Sequence, residues 1–291
     1  MLATLNDLLP EAAQSGHAVP SFNIFGHEEA VAILRVAQSL GRGVILACNK
    51  EMADTLGVAA FAGMVRALGV SASVPVCVHL DHCDDEARIH AALRAGFTSV
   101  MYDGSQRALE DNIARTARVA EVAHAFGASI EGEIGSVPYH EGRDHIKSEL
   151  THPEAAAAFA SSSGVDAMAI AVGNVHRLTS AIAKIDFERL AGIEAVTSVP
   201  LVIHGTSGLR EADLQRLKRT RVAKFNIGTT MRMTFSRSLR ESLAADPEQF
   251  DRLTLMRPVI AALEGEARRI FDRLAGDAVS DVARDSRSAS T

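Results

Sequence analysis

Eight short apolar runs recur along this chain, and the stretches between them carry the apolar period of a helix. The runs lie at 18–24, 43–48, 74–80, 98–102, 127–133, 165–172, 199–203 and 222–227. Between them stand segments such as HEEAVAILRVAQSL (27–40), LEDNIARTARVAEVAHAF (109–126) and LREADLQRLKR (209–219). Their apolar positions recur every three or four residues and so fall on one helix face. The runs are continuous more than alternating, as strands are when both faces of a parallel sheet are covered. Strand and helix alternating through eight units predict an α/β chain closed into a (β/α)8 TIM barrel. A doubly wound open sheet is the other arrangement this alternation allows. No G-x-G-x-x-G follows the first run, which argues against its dinucleotide-binding version.

A chain of 291 residues fits one such barrel. A single domain is expected over 1–275, with a helical stretch at 247–275 beyond the eighth unit. The small, polar and charged residues 276–291 are expected to form a frayed, disordered tail. Residues 134–152 make a long polar loop of the kind that is either a lid or disordered. Charge and hydropathy exclude several classes. With a net charge of −6 and no basic stripe, no nucleic-acid partner is expected. No apolar run approaches the roughly 18 residues of a membrane helix, so no membrane partner is expected either. The start, MLATLNDLLPEAAQSGH, lacks the basic and long apolar parts of a signal peptide. Cys48, Cys77 and Cys83 show no paired spacing and are expected to be buried, reduced thiols of a cytoplasmic protein.

Barrels of this kind carry their chemistry at the C-terminal ends of the strands. Read in order, those eight ends are Asn23, Asn49, Asp81 with His82, Asp103, Glu133, His176, His204 and Asn226. Solvation asks for a polar group at some of them; a polar group at every one points to a site. His82, His176 and His204 each follow an apolar run, so one rim brings the three imidazoles together. Three imidazoles with an open fourth position suit Zn2+ or another borderline divalent ion. Taken singly each is an ordinary loop histidine; their equivalent positions favour a ligand set. His79, inside its strand, is expected to be buried, either structural or supporting a ligand from behind. Asp81 either orients an imidazole or acts as general acid and base at a substrate hydroxyl, and the second reading is favoured. Asp103 and Glu133 either hold a second divalent or monovalent cation or hydrogen-bond into the mouth. Gly205 and Ser207 in GTSG (205–208) fall where backbone N–H groups cradle an anion, as do Gly228 and Thr229 in KFNIGTT (224–230). Each turn alone is also a plain helix cap. Glu141, on the polar loop, reads by itself as a solvated acid.

VHLDHC (78–83), MYDGS (101–105), EGEIG (131–135), AVGNVH (171–176), KIDFERL (184–190), IHGTSG (203–208) and KFNIGT (224–229) occur in that order. Together they resemble the class II, metal-dependent ketose-bisphosphate aldolases, in the fructose- and tagatose-bisphosphate branch. The likeness runs from VPSFNI (19–24) to LMRPVI (255–260). It implies that His82, His176 and His204 bind one catalytic Zn2+ and that Asp81 handles the proton of the hydroxyl at the bond that breaks. Glu141 stands where the family carries a loop glutamate that exchanges a proton with the dihydroxyacetone phosphate carbon. Gly173, Gly205, Ser207, Asn226 and Thr229 match positions around the phosphate-bearing fragment, and Asn23 and Gly228 are expected to bind substrate or phosphate beside them. Asp103 and Glu133 match a secondary cation site. A cation stabilises the charge left by C–C cleavage, so no lysine Schiff base is needed. Lys184 and Lys224 are accordingly expected in structural or surface roles.

The chain departs from this pattern beside the second ligand, where His-Gly-x-Tyr is usual and His176-Arg177-Leu178-Thr179 stands. A nearby lysine position is Ala181, a Gly-Gly pair is the stiffer Pro138-Tyr139, a serine or threonine position is Asn49, and an acidic position is Thr230. These changes bear on the substrate, above all on whether both its ends carry phosphate. Arg177 is expected either to clamp phosphate or to serve a carboxylated or other acidic substrate. The expected function is zinc-dependent, reversible aldol cleavage of a phosphorylated ketose to dihydroxyacetone phosphate and an aldehyde, by a homodimer or homotetramer. Two other readings are a class II aldolase for a modified or unphosphorylated ketose or sugar acid, and a non-catalytic metal-binding partner subunit of an aldolase.

Overall fold

The computed structural model describes residues 1–139, 148–178 and 182–276. Its strands are β1 (Leu2–Ala3), β2 (Val19–Asn23), β3 (Val44–Cys48), β4 (Val76–Cys83), β5 (Ser99–Tyr102), β6 (Ser129–Ile134), β7 (Ala167–Ile170), β8 (Leu201–Ile203) and β9 (Val222–Ile227). The helices are α1 (Leu5–Ser15), α2 (His27–Leu40), α3 (Lys50–Leu56), α4 (Val58–Ser71), α5 (Glu86–Ala95), α6 (Leu109–Ala125), α7 (Pro153–Ser162), α8 (Phe187–Val196), α9 (Glu211–Leu217), α10 (Thr229–Ala245) and α11 (Arg252–Leu274). Strands β2 to β9 pair in parallel with their neighbours, and β2 pairs with β9, which closes an eight-stranded TIM barrel. Closure excludes the open doubly wound sheet. The C-terminal helix is present as α11, packed on α10, α2 and β2. The tail, apart from Gly276, lies outside the described residues.

Each strand buries both faces, which is why the runs read as continuous in sequence. The outward face of the barrel strands packs with the helices in one large cluster that includes Phe22, Leu46, Val78, Val100, Ile130, Ile170, Ile203 and Phe225. A second cluster fills the inside with small or slender side chains: Val19, Ile45, Cys77, Met101, Ala167, Ala169, Val202 and Ala223. Leu5, Leu8, Leu9 and Ala12 of α1 complete that inner cluster and close the barrel's N-terminal end. Sequence reading missed β1 and α1. The signal was a capping box: the Thr4 side chain accepts from the Asp7 backbone N–H, and the Asp7 carboxylate accepts from the Thr4 N–H at 2.8 Å.

Two irregularities in the sheet decide which residues face the mouth. Between Leu80 and Cys83 the β4–β5 register slips by one residue, and His82 takes φ +49°. Between β8 and β9 the register slips again, from Leu201↔Val222 to Val202↔Lys224. A bulge adds one residue to one strand and breaks its strict two-residue alternation. Asp81 and His82, although adjacent, both line the cleft at the mouth, and Lys224 is wholly buried inside. No single described helix is long and apolar enough to cross a membrane.

All three cysteines are free and buried. Burial pushes the thiols of Cys48 and Cys77 up to about 12 and that of Cys83 up to about 11. The nucleophile is the thiolate, so native protein at pH 8 is expected to resist a thiol-reactive disulfide reagent over hours and to react at all three sites on unfolding. Rapid labelling of folded protein would contradict this burial.

Candidate active site

The three histidines reach the barrel mouth by different routes. His82 lies inside β4, not past its end, and the bulge with positive φ aims it. A non-glycine residue in the left-handed region carries a cost of about 1–2 kcal/mol, tolerated here beside the site. His204 directly follows β8. His176 sits six residues beyond the end of β7, in a loop held by four contacts. Its backbone N–H donates to the Pro138 carbonyl at 2.8 Å, and the Tyr139 ring stacks on its imidazole at 4.5 Å. Buried Asn174 donates to the backbone carbonyls of Ile170 and of His204, 2.9 Å away in the second case, tying two histidine-bearing loops together. Gly173 and Gly205 have the positive φ that lets these loops approach closely. A Cβ on Gly173 would lie 2.1 Å from the Lys184 carbonyl oxygen, and one on Gly205 would lie 2.4 Å from that of Val175.

One nitrogen from each of the three imidazoles lies within 4.8 Å of the others. The remaining partners fix which nitrogens carry protons. His82 Nδ1 lies 2.8 Å from an Asp103 oxygen, and His204 Nε2 lies 2.9 Å from Glu131 Oε1. Carboxylates accept only, so these two nitrogens donate. The opposite nitrogens, His82 Nε2 and His204 Nδ1, then face each other at 2.7 Å. Two lone pairs at that distance repel unless a proton or a metal cation lies between them. His176 Nε2 is buried with no hydrogen-bond partner. The donor set, the outer hydrogen bonds to carboxylates and the orphaned nitrogen fit a divalent metal ion. Without one, the proton rests on His82: burial opposes the charge, but Asp81 and the hydrogen bond to Asp103 outweigh it and raise its pKa well above the ordinary value. Burial and the nearby charge of His82 hold His176 and His204 down.

Asp81 stands beside this cluster, wholly buried, with Asn23 Nδ2 donating to one oxygen at 2.9 Å and Asn226 Nδ2 to the other at 3.0 Å. Burial works against its ionised form, yet His82, His204 and Lys224 outweigh burial and keep it ionised far below the usual range. Asp103 and Glu133 flank His82, with Glu133 Oε2 at 3.6 Å from Nδ1 and without a hydrogen-bond partner. The three could hold an ion. Burial and the negative charge of Asp103 push Glu133 up to about 8, as expected of two carboxyls that share a site without a cation.

A cleft with about 1080 Å³ of empty space, part of it open to solvent, joins these groups to the two anion-cradle candidates. Gly205, Thr206 and Ser207 lie on one wall, and Gly228, Thr229 and Thr230 at the start of α10 on the other. Ser207 Oγ is buried without a partner, and Thr206 Oγ1 donates to the Asn226 carbonyl at 2.7 Å, which joins the turns. Asn49 also lines the cleft, but its side chain caps α3 and donates to Glu51 Oε2 at 2.6 Å. Arg177 takes φ +56°, reaches Glu51 Oε1 at 2.9 Å and lies over the Tyr139 ring. Glu141, Thr179 and Ala181 lie outside the described residues.

Sequence reading overlooked Glu131 and Asn174 as parts of this site, and Lys224 is not at the surface. Glu131 precedes Glu133 by two residues and so points to the same inner face of β6, a signal that was available. Lys224 needed the bulge to be seen.

With this geometry in hand, comparison with known proteins is specific. The family described as Fructose-bisphosphate aldolase class-II matches residues 3–277. The D-tagatose-1,6-bisphosphate aldolase subunit GatY of Klebsiella oxytoca is 33% identical over 268 residues, which cover 91% of this chain and 94% of that protein. The crystal structure of the YdjI aldolase of Escherichia coli K12 superposes with a TM-score of 0.81 at 27% identity, covering 96% of this chain and 99% of that one. The fructose-bisphosphate aldolase of Campylobacter jejuni shares the fold at 23% identity, with a TM-score of 0.80 over 94% of this chain and 95% of that one. Barrel, sequence and relatives agree: the chain belongs to the class II fructose-bisphosphate aldolase family and is a lyase of that family.

Proposed function

We propose that this protein is a zinc-dependent aldolase that reversibly cleaves a phosphorylated ketose, of the fructose or tagatose 1,6-bisphosphate type, to dihydroxyacetone phosphate and an aldehyde. The observation that carries the reading is the pair of imidazole nitrogens facing each other at 2.7 Å beside an ionised, doubly held Asp81. A Zn2+ ion held by His82, His176 and His204 supplies the positive charge that stabilises electrons released when the C–C bond breaks. Asp81 takes the proton from the hydroxyl on the aldehyde side, and Asn23 and Asn226 hold its oxygens in line for that transfer. Glu141 returns a proton to the donor carbon. Gly205, Ser207, Gly228 and Thr229, with Gly173 shaping the neighbouring loop, cradle the donor phosphate through backbone N–H groups and the Ser207 hydroxyl. Asp103 and Glu133 hold a second cation, divalent or monovalent, beside His82. One domain over 1–275 carries the whole site. The exposed Phe250, between α10 and α11, and Leu253, in the first turn of α11, support a homodimer or homotetramer, and the three free thiols support a cytoplasmic setting.

Arg177 bears on the substrate. A guanidinium offers five donors, and the contact with Glu51 engages one nitrogen. The side chain lines the same cleft as the cradles, and we assign it to an anionic group of the substrate. Arg177→Gly, which also relieves the positive φ, is then expected to raise KM for the phosphorylated ketose by roughly 10–100-fold, as for a lost charge-assisted hydrogen bond, with kcat little changed. An unchanged KM would assign Arg177 to the Glu51 contact alone.

Retro-aldol cleavage tests the main reading. Triose phosphate release from a panel of ketose 1-phosphates and 1,6-bisphosphates is expected to stop with a chelator and return with Zn2+. Asp81→Ala is expected to lose turnover by at least about 100-fold with the metal retained. No cleavage by zinc-loaded protein across the panel would sink the dihydroxyacetone phosphate assignment. Retained turnover in Asp81→Ala would remove the base. Metal uptake also has a pH signature. Because the pKa of His82 is raised, metal-free protein carries a proton there at neutral pH that the ion must displace. Zinc affinity is therefore expected to rise with pH through neutrality. About one proton should be released per ion bound, read from calorimetry in buffers of different ionisation heat; a buffer-independent heat would contradict it.

A further inference from the structure

Beneath the histidines, inside the barrel, lies a polar group that the reaction above does not use. Lys224 is wholly buried, and its Nζ donates to two acceptors, Glu131 Oε2 and Asn226 Oδ1, each at 2.7 Å. The first contact leads to the metal site. Glu131, also wholly buried, uses its other oxygen to accept from His204 Nε2 at 2.9 Å. With both oxygens engaged, the carboxylate plane is set, and so is the nitrogen that His204 turns toward His82. The second contact leads to the base. An amide whose oxygen is taken must offer its NH2 elsewhere, and Asn226 Nδ2 meets Asp81 Oδ1 at 3.0 Å. An ammonium group donates and never accepts, so Lys224 dictates which end of the Asn226 amide faces Asp81. The reversed amide would set an oxygen against a carboxylate. A buried ion pair is a weak source of stability compared with apolar groups of the same volume. Its place under these two residues has a consequence in orientation instead.

We propose that Lys224 is a positioning residue that aligns a metal ligand and the catalytic base at once, His204 through Glu131 and Asp81 through Asn226. The inference rests on the metal-site reading given above and goes beyond it, because neither Lys224 nor Glu131 belongs to the three-histidine set or lines the cleft. Its reach across the barrel is specific. Lys224 is on β9, Glu131 on β6, Asp81 on β4, and His204 directly follows β8. One side chain therefore ties together groups from three other parts of the ring.

The test is Lys224→Met, which keeps an unbranched side chain and removes the donor. Three quantities are measured beside wild type: zinc affinity by chelator competition, the visible spectrum of the Co2+-loaded protein, and kcat and KM. The expected result is about a 10–100-fold loss in zinc affinity, a similar loss in kcat, a shifted Co2+ absorption, and a KM within a few-fold of wild type. Should Lys224→Met fail to fold, the double variant Lys224→Met, Glu131→Gln removes both buried charges. It is expected to fold while keeping the loss in kcat and the altered Co2+ spectrum. A folded single or double variant with wild-type zinc affinity, Co2+ spectrum and kcat would overturn the proposal and leave Lys224 a filler of the core. Wild-type protein that takes up neither Zn2+ nor Co2+ would instead overturn the metal-site reading on which the proposal rests.

Discussion

An ammonium and a carboxylate inside a parallel barrel are costly: each ion taken out of water costs several kcal/mol even after the protein relaxes. Lys224 and Glu131 meet that cost with short contacts to one another and with partners for the atoms left over. Burial opposes ionisation of Glu131, but Lys224 and the hydrogen bond from His204 hold its pKa down to about 2. His79 stays neutral nearby: burial and then the charge of Lys224 press its pKa down to about 3, and its Nδ1 meets Ser99 Oγ at 2.8 Å. The layer below is apolar and sealed by α1, and the layer above opens to the cleft. The charged pair is therefore the floor of the site, and the groups above it take their direction from it.

Regular strands could not have built this mouth. Alternation sends every second residue outward, yet the mouth uses two consecutive residues of β4. The bulge at Asp81 and His82 lets one strand turn both a carboxylate and an imidazole toward the same cleft, and the positive φ of His82 is the local cost. Among the described residues, Arg177 is the other non-glycine with positive φ, and it adjoins His176. Among the described residues, non-glycine strain of this kind thus collects at two positions on the rim of one cleft.

The architecture was legible because eight runs with two-sided burial leave few other folds. The three histidines and Asp81 were legible because a barrel rim is a small target that each run end indicates. What escaped has physical reasons. The pattern of β9 did not reveal that Lys224 lies inside, since one inserted residue shifts the phase and a bulge leaves no mark in composition. Glu131 looked like a strand residue of unremarked polarity, because its worth depends on partners 73 and 93 positions away. Asn174 acts through backbone carbonyls, which every residue has. β1 and α1 were passed over because a two-residue strand has no periodicity to read, although the Thr4–Asp7 box was there. His176 was expected at a strand end and instead stands on a loop, since β7 stops at Ile170.

The pairing of β2 with β9 has a bearing on how the molecule comes into being. A growing chain makes β2 early and must wait for nearly the whole barrel before its second partner exists. β9 also carries Lys224 and Asn226, so Glu131 and Asp81 draw these partners from the last strand of the ring. A chain lacking β9 would keep the three histidines with Asp103 and Glu131, but not Lys224 or Asn226. The last strand in chain order therefore completes both the ring and the polar network beneath the cleft. Contacts of such high sequence separation are slow to form, and here one strand carries both the closure and the network.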